Sequence, residues 1–173
     1  MKKMISDGFN AASDAIRHDT DFHHDHNGMG TTMVAALVNE GLDCVIGYAG
    51  DSRAYLVGEQ VQRVTTDHTF VQEMVQRGLI SEEAALVHPE RNVVTRIISA
   101  EPVAPDYAEI YLNNHTLLLC TDGFSEALGV PDIIHDSGCP KVEDVCKNLI
   151  SRARQKNGDN ATVVVARAGI PDA

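Results

Sequence analysis

Residues 42–57 read LDCVIGYAGDSRAYLV, two apolar, β-rich segments separated by Gly50 and Asp51. Short runs of β-branched, aromatic and other apolar residues between turn formers are typical of strands. The surrounding sequence repeats the pattern, and we predict strands at 31–38, 42–49, 52–57 and 60–64. Their connections are only two or three residues long, which favours antiparallel neighbours.

Apolar residues at helical spacing predict four helices elsewhere in the chain. Ile5, Phe9, Ala12 and Ile16 place the first over 4–18, before a polar stretch that runs from 18 to 30. Two short helices should begin after Thr69, which has Gln72 in capping-box position, and after Ser81. The clearest helix starts at Val142 and should stop at Asn157 and Gly158.

Strands at 108–112 and 116–120 should form a further hairpin, and 161–167 gives a last strand. Antiparallel hairpins with amphipathic helices predict an α+β fold, in which sheets pack on sheets and helices cover the outside. We expect residues 1–173 to form a single domain.

Composition excludes several classes of protein. Of the 173 residues, 43% are hydrophobic and 23% charged, as in ordinary globular domains. No apolar run approaches the length of a membrane span and no secretory signal is visible, so a cytoplasmic location is expected. The formal charge of −11 argues against nucleic acid and anionic membranes as partners. The four cysteines have no zinc-site spacing and are expected to be reduced thiols.

Three aspartates follow or precede predicted strands beside small residues: Asp51, Asp122 and Asp159. A carboxylate at the end of a strand is positioned by the rigid hydrogen-bonded sheet and lies at the exposed rim of that sheet, where a divalent ion can reach it. An all-oxygen ligand set suits a hard ion such as Mg²⁺ or Mn²⁺ better than zinc. Taken singly, each is more often a turn former.

Six motifs, in this order, resemble those of PP2C-type (PPM family) metal-dependent protein serine/threonine phosphatases. They are MGTT at 29–32, GDSRAY at 50–55, DH at 67–68, HPERNVVTR at 88–96, TDG at 121–123 and GDNATV at 158–163. The resemblance covers 29–167 best and the opening helix more weakly.

The resemblance implies a four-layer α/β/β/α sandwich with a metal cleft at one end. Asp122 and Asp159 would bind the second of two metals, and Asp51 would join Asp122 at a third, weaker ion seen in bacterial members. The implied reaction is attack of a metal-activated water on phosphoserine or phosphothreonine of proteins, with Mn²⁺ or Mg²⁺ as cofactor and no covalent intermediate. The implied partners are phosphoproteins made by a serine/threonine kinase.

Residues 67–98 resemble the flap that borders the active site in bacterial members, and a mobile helical insertion is expected there. Arg53 suits phosphate chemically, but in the family it is mostly structural, and His68 is expected to be a local structural residue. Four histidines and three aspartates between His18 and His26 resemble a transition-metal tract; a solvated loop is the favoured interpretation, with adventitious Ni²⁺ or Zn²⁺ binding as the alternative.

The family's first motifs are absent from this sequence. A complete member begins with strands that carry an Arg and with an Asp-Gly-Met-Gly-Gly segment whose Asp bridges the two metals. Asp7 and Gly8 lie inside a helical pattern and do not replace it. The chain is therefore interpreted as N-terminally truncated, a poor phosphatase by itself, and prone to self-association through an unpaired sheet edge. A noncatalytic domain that binds phosphoproteins or divalent ions is the alternative.

Overall fold

The computed structural model describes residues 1–156 and 159–168. Within these ranges, seven strands form two sheets: β1 (Met33–Val38), β2 (Asp43–Ala49), β3 (Arg53–Val57), β4 (Val61–Arg63), β5 (Asp106–Tyr111), β6 (Thr116–Cys120) and β7 (Val163–Arg167). The helices of the same ranges are α1 (Lys2–Phe22), α2 (Phe70–Gln76), α3 (Glu82–Leu86), α4 (Asp122–Ser125), α5 (Val130–Ser137) and α6 (Val142–Lys156). The ends of the predicted strands are confirmed to within two residues.

The strand order corrects two predicted hairpins. One sheet has the order β1-β2-β5 and the other the order β4-β3-β6-β7, so β2 does not pair with β3, and β5 does not pair with β6. In the four-stranded sheet every pairing is antiparallel, and β3 lies between β4 and β6. A strand has only two edges, so β3, between β4 and β6, cannot also pair with β2, and β6, between β3 and β7, cannot also pair with β5. A short connection fixes where two strands meet, not that they share a sheet.

Two further differences concern helices. The first helix continues to Phe22 instead of ending at 18, and its Arg17 donates through Nε and Nη2 to the carbonyl of Ala100 at 3.0 and 2.8 Å. Helices α4 and α5 were not predicted. At the start of α5, Asp132 accepts a hydrogen bond from the Gly129 N–H at 3.2 Å, which is typical of a helix N-terminus. The predicted stop of α6 at residues 157 and 158 lies outside the described residues.

The chain divides into two compact units that are interleaved along the sequence. The first comprises Met1–Ala36, Gly47–Asp51 and Thr66–Tyr107. In it α1 packs Ile5 against Gly47 so closely that a Cβ at Gly47 would overlap the Ile5 side chain. Single-domain organisation over 1–173 stays a prediction.

The second unit comprises Leu37–Ile46, Ser52–Thr65 and Ala108–Ala173. Its core joins the four-stranded sheet to the C-terminal helices, with Leu118 of β6, Phe124 of α4 and Leu149 of α6 all fully buried. This core holds the ends of β6 and β7, which carry two of the predicted metal ligands.

The insertion at 67–98 has the predicted helices. The Thr69 hydroxyl accepts from the Gln72 N–H at 3.3 Å, and the Ser81 hydroxyl accepts from the Ala84 N–H at 3.2 Å, so both predicted N-caps are confirmed. Gly78, which follows the C-terminal end of α2, has φ +70°. Only Val71 is buried in α2, and no residue of α3 is. None of the helices in the described ranges has the length and apolarity needed to cross a membrane.

Candidate metal centre

The pairing of β6 with β7 brings two of the predicted metal ligands to the same sheet end. Cys120, the last residue of β6, is opposite Val163, the first residue of β7. Asp122 follows β6 and Asp159 precedes β7. Because the strands are antiparallel, the two aspartates lie at the same end of this strand pair.

Two hydrogen bonds tie the loops that carry these aspartates. The Thr121 N–H donates to the Thr162 carbonyl at 3.2 Å, and the Thr162 N–H donates to the Thr121 hydroxyl at 3.0 Å. Thr121 is the N-cap residue of α4, yet its side chain makes no cap hydrogen bond. Its hydroxyl is used between the loops instead.

Gly123 allows the closest approach between the two loops. It is buried, and a Cβ at this position would overlap the Asn160 carbonyl oxygen and lie 3.3 Å from the Asp159 Cβ. The backbone oxygen cannot rotate away, so a side chain at 123 would force the loops apart. Gly123 is therefore required for the proximity of Asp122 and Asp159.

Both carboxyl groups are exposed and held by the backbone. Asp122 Oδ1 accepts from the Gly123 N–H at 2.8 Å, and Asp159 Oδ1 accepts from the Asn160 N–H at 2.7 Å. Each bond fixes a carboxyl orientation at a solvent-facing rim. An oxygen-only donor pair of this kind fits Mg²⁺ or Mn²⁺ and disfavours softer ions.

Asp51, the third predicted ligand, belongs to the other compact unit. It follows Gly50, whose φ of +108° is in the left-handed region and whose Cα faces Thr32 at a distance that leaves no room for a Cβ. Asp51 is half-buried. Its predicted association with Asp122 stays a prediction.

His68 is hydrogen-bonded to both the backbone N–H and the backbone carbonyl of Gly50. The Gly50 N–H donates to His68 Nδ1 at 3.1 Å, and the His68 N–H donates to the Gly50 carbonyl at 3.0 Å. Because Nδ1 accepts, Nε2 carries the proton and faces Asp106 Oδ2 at 3.0 Å. The ring stacks on Tyr48 with centroids 5.3 Å apart, and its side chain is 11% exposed. These contacts favour the structural role expected for His68.

Asp106 was not predicted to take part in this network. Burial raises the pKa of its carboxyl, but hydrogen bonds from His68 and Arg96 outweigh burial and hold that pKa below the ordinary value. Arg96 Nη1 lies 2.6 Å from Asp106 Oδ1. No sequence signal links Asp106 to His68, because they are 38 residues apart.

Arg53 lies in β3, where its Nη1 is 3.4 Å from the hydroxyl of Tyr55 two residues along the strand. This placement favours the structural interpretation of Arg53 over phosphate binding.

The sequence and the fold resemble bacterial serine/threonine phosphatases. The chain is 35% identical over 159 residues to the serine/threonine protein phosphatase PstP of Mycobacterium tuberculosis, covering 90% of this chain and 31% of that protein. It is 36% identical over 155 residues to the serine/threonine phosphatase stp of Listeria monocytogenes, covering 82% and 58%. The crystal structure of the serine/threonine phosphatase Stp1 from Staphylococcus aureus matches with a TM-score of 0.89 at 31% identity, covering 98% of this chain and 68% of that one. No protein-family model matches the sequence.

These matches show that the chain belongs to the PP2C-type (PPM) family of protein serine/threonine phosphatases. The predicted α+β class, antiparallel sheets flanked by helices, is confirmed. The catalytic domain of PstP, matched with a TM-score of 0.78 at 32% identity, was solved in complex with two manganese ions. The chain spans 31% to 62% of the length of the curated relatives that it matches.

Proposed function

We propose that this chain supplies a metal centre for the hydrolysis of phosphoserine and phosphothreonine in proteins. Asp122 and Asp159 are proposed to share one Mn²⁺ or Mg²⁺ ion. The observation that carries the proposal is the contact at Gly123, which leaves no space for a side chain between the two aspartate loops.

The chain's own residues supply charge and orientation. The two carboxylates contribute two negative charges at one rim, and the bonds from Gly123 and Asn160 fix one oxygen of each. The paired Thr121 and Thr162 keep the loops from separating, so little reorganisation is needed when an ion is bound. Divalent ions in such a centre lower the pKa of a coordinated water and neutralise the phosphoryl oxygens.

Asp51 is proposed to contribute to a further, weaker ion, and the insertion at 67–98 to contact the phosphoprotein. Support for the second role is the exposed apolar surface of the insertion, where Leu79, Leu86 and Val87 are 65%, 76% and 81% exposed. Contiguous exposed apolar surface is typical of contact sites, and Leu86 and Val87 are adjacent in the sequence. Substrates made by a serine/threonine kinase, and a cytoplasmic location, belong to the same proposal.

Self-association through an edge strand is a further part of the proposal. Strand β1 is at the edge of its sheet, and its sequence MVAALV is apolar, yet Met33 to Leu37 are only half-buried and Val38 is exposed. An apolar edge strand with open hydrogen-bonding groups favours pairing with another strand. Light scattering over a range of protein concentrations measures this directly, and a strictly monomeric chain would contradict it.

The activity is tested by hydrolysis of a phosphothreonine peptide with Mn²⁺. The proteins compared are this chain, a version extended by the N-terminal segment of a relative, and Asp122→Asn in both. We expect metal-dependent hydrolysis by the extended version, and a roughly hundredfold or greater loss in Asp122→Asn, because even outer partners of metal ligands contribute 10- to 100-fold.

The matched control is Asp144→Asn, the same change at an exposed site in the first turn of α6. It should leave the rate within about twofold of the parent. An extended version that binds the phosphopeptide without turning it over would contradict the proposal and support the noncatalytic alternative, which the relatives' names do not favour.

A further inference from the structure

The end of helix α1 brings together three metal-ligating side chains from the histidine-rich tract. Asp19 and His23 are one helical turn apart, so both side chains lie on the same helix face. The chain then turns through a short 3-10 helix, His24–His26. This turn returns His26 to Asp19, so that one ligand atom from each of Asp19, His23 and His26 lies within 4.8 Å of the others.

The local backbone fixes this arrangement. The His23 N–H donates to the Asp19 carbonyl at 2.9 Å, which closes the last turn of α1. The His26 N–H donates to the His23 carbonyl at 2.9 Å. The two imidazole rings are 5.1 Å apart and tilted by 32°. Residues 21–30 are all exposed, as a solvated loop requires, and within this exposed segment the two rings lie close to Asp19.

The distances fit a small tetrahedral site once an ion has replaced the ring protons that face Asp19. Ligand atoms around Zn²⁺ with bonds of about 2.0–2.2 Å lie roughly 3.4 Å apart. His23 Nδ1 is 3.2 Å from the Asp19 carbonyl oxygen and 3.3 Å from Asp19 Oδ1, and His26 Nδ1 is hydrogen-bonded to Asp19 Oδ2 at 2.5 Å. Both Nδ1 atoms face oxygen acceptors, so an ion that binds there replaces the Nδ1 proton of each ring, in keeping with the proton release that accompanies metal binding. The His26 ring must also move outward by about 1 Å.

The charge and exposure of the cluster favour a cation. Its side chains are 37% to 57% exposed, so an ion can enter and water can complete its coordination. The hydrogen bond from His26 holds the pKa of the Asp19 carboxyl below its ordinary value. Asp25 Oδ2 lies 3.9 Å from His26 Nε2 and adds negative charge.

We propose that Asp19, His23 and His26 bind one borderline divalent transition ion, with Zn²⁺ as the representative. Two imidazole nitrogens and one carboxylate oxygen select Zn²⁺, Ni²⁺ or Co²⁺ over Mg²⁺ and Mn²⁺. The site is thus chemically distinct from the oxygen-only pair Asp122 and Asp159. The bound ion links the last turn of α1 to the 3-10 turn.

The test is competition for Zn²⁺ between the full chain and a chromophoric chelator. All titrations use the Asp122→Asn, Asp159→Asn background, so that Zn²⁺ at the other centre does not contribute and the outcome is independent of the proposed phosphatase activity. We expect one Zn²⁺ per chain, and a roughly tenfold or greater loss of affinity in His23→Gln, His26→Gln and Asp19→Asn.

The control is His24→Gln, which removes one imidazole from the same exposed turn but not from the cluster. Its Zn²⁺ affinity should stay within about twofold of the parent. Hydrogen exchange gives a second readout, because bound Zn²⁺ should slow exchange of the His26 amide in the parent and not in His26→Gln. Absence of a one-to-one complex, or an equal loss in His24→Gln and His26→Gln, would overturn the proposal.

Discussion

The substitution Gly123→Ala tests whether close loop approach creates the metal centre. The added Cβ would overlap the Asn160 carbonyl oxygen and would be 3.3 Å from the Asp159 Cβ. Relief requires the loop that carries Asp159 to move away from α4. Extra atoms in a packed site cost about 1–3 kcal/mol.

When an ion draws the two carboxylates together, this strain returns and weakens binding. A cost of about 1–3 kcal/mol corresponds to a roughly 5- to 140-fold loss of Mn²⁺ affinity. The same cost lowers the melting temperature of a chain of this size by about 2–12 °C. Both quantities are measured on one sample, by calorimetric titration with Mn²⁺ and by thermal unfolding.

Gly8→Ala is the matched control. Gly8 is inside α1, and a Cβ there would meet nothing within 4 Å. Alanine is the better helix former by about 1 kcal/mol, so this variant should be slightly more stable and should bind Mn²⁺ as the parent does. Parental Mn²⁺ affinity and stability in Gly123→Ala would refute the packing argument.

Two further predictions concern stability and local opening. Asp136 is 2% exposed and accepts two bonds from Arg152, at 2.8 and 3.0 Å, so Asp136→Asn should destabilise the chain by about 2–3 kcal/mol. The hydrogen bond from Arg152 holds the pKa of Asp136 below its ordinary value, so this stabilisation is present above about pH 4 and is lost as the pH falls through the lower folded-state pKa. The free energies of unfolding of the parent and of Asp136→Asn, measured by denaturant titration, should therefore converge at low pH. A difference in free energy of unfolding that is independent of pH would contradict this. In the insertion at 67–98, backbone amides of α3 should exchange hydrogen much faster than those of β6, because α3 has no buried residue whereas Leu117 and Leu118 of β6 are buried. Equal protection of the two elements would show that the insertion is a fixed part of the core.

Local patterns predicted the elements but not all of their partners. Residues 116–120 were placed without error, because an apolar run between turn formers defines a strand locally. The partners of that strand are β3 and β7, both distant in sequence, whereas the nearby β5 belongs to the other sheet. Pairing is decided by competition among strands for two edges, which a short turn does not encode.

The candidate metal centre was likewise predictable from the sequence only in part. Asp122 and Asp159 are predicted as ligands from their motifs, but the reason for Gly123, its close approach to Asn160, depends on strand register. The role of Asp106 beside His68 likewise appears only in three dimensions. The histidine tract was visible as composition, whereas the selection of His23 and His26 depends on where α1 ends and how the following turn bends.

A double-mutant cycle measured by Mn²⁺ calorimetry tests the shared ion most directly. The proteins are the parent chain, Asp122→Asn, Asp159→Asn and the double variant. If both carboxylates bind one ion, each single variant loses most of the affinity and the double variant loses little more, since the two effects are coupled. Equal Mn²⁺ affinity in the parent and in Asp122→Asn, or strictly additive losses, would contradict a shared ion at Asp122 and Asp159.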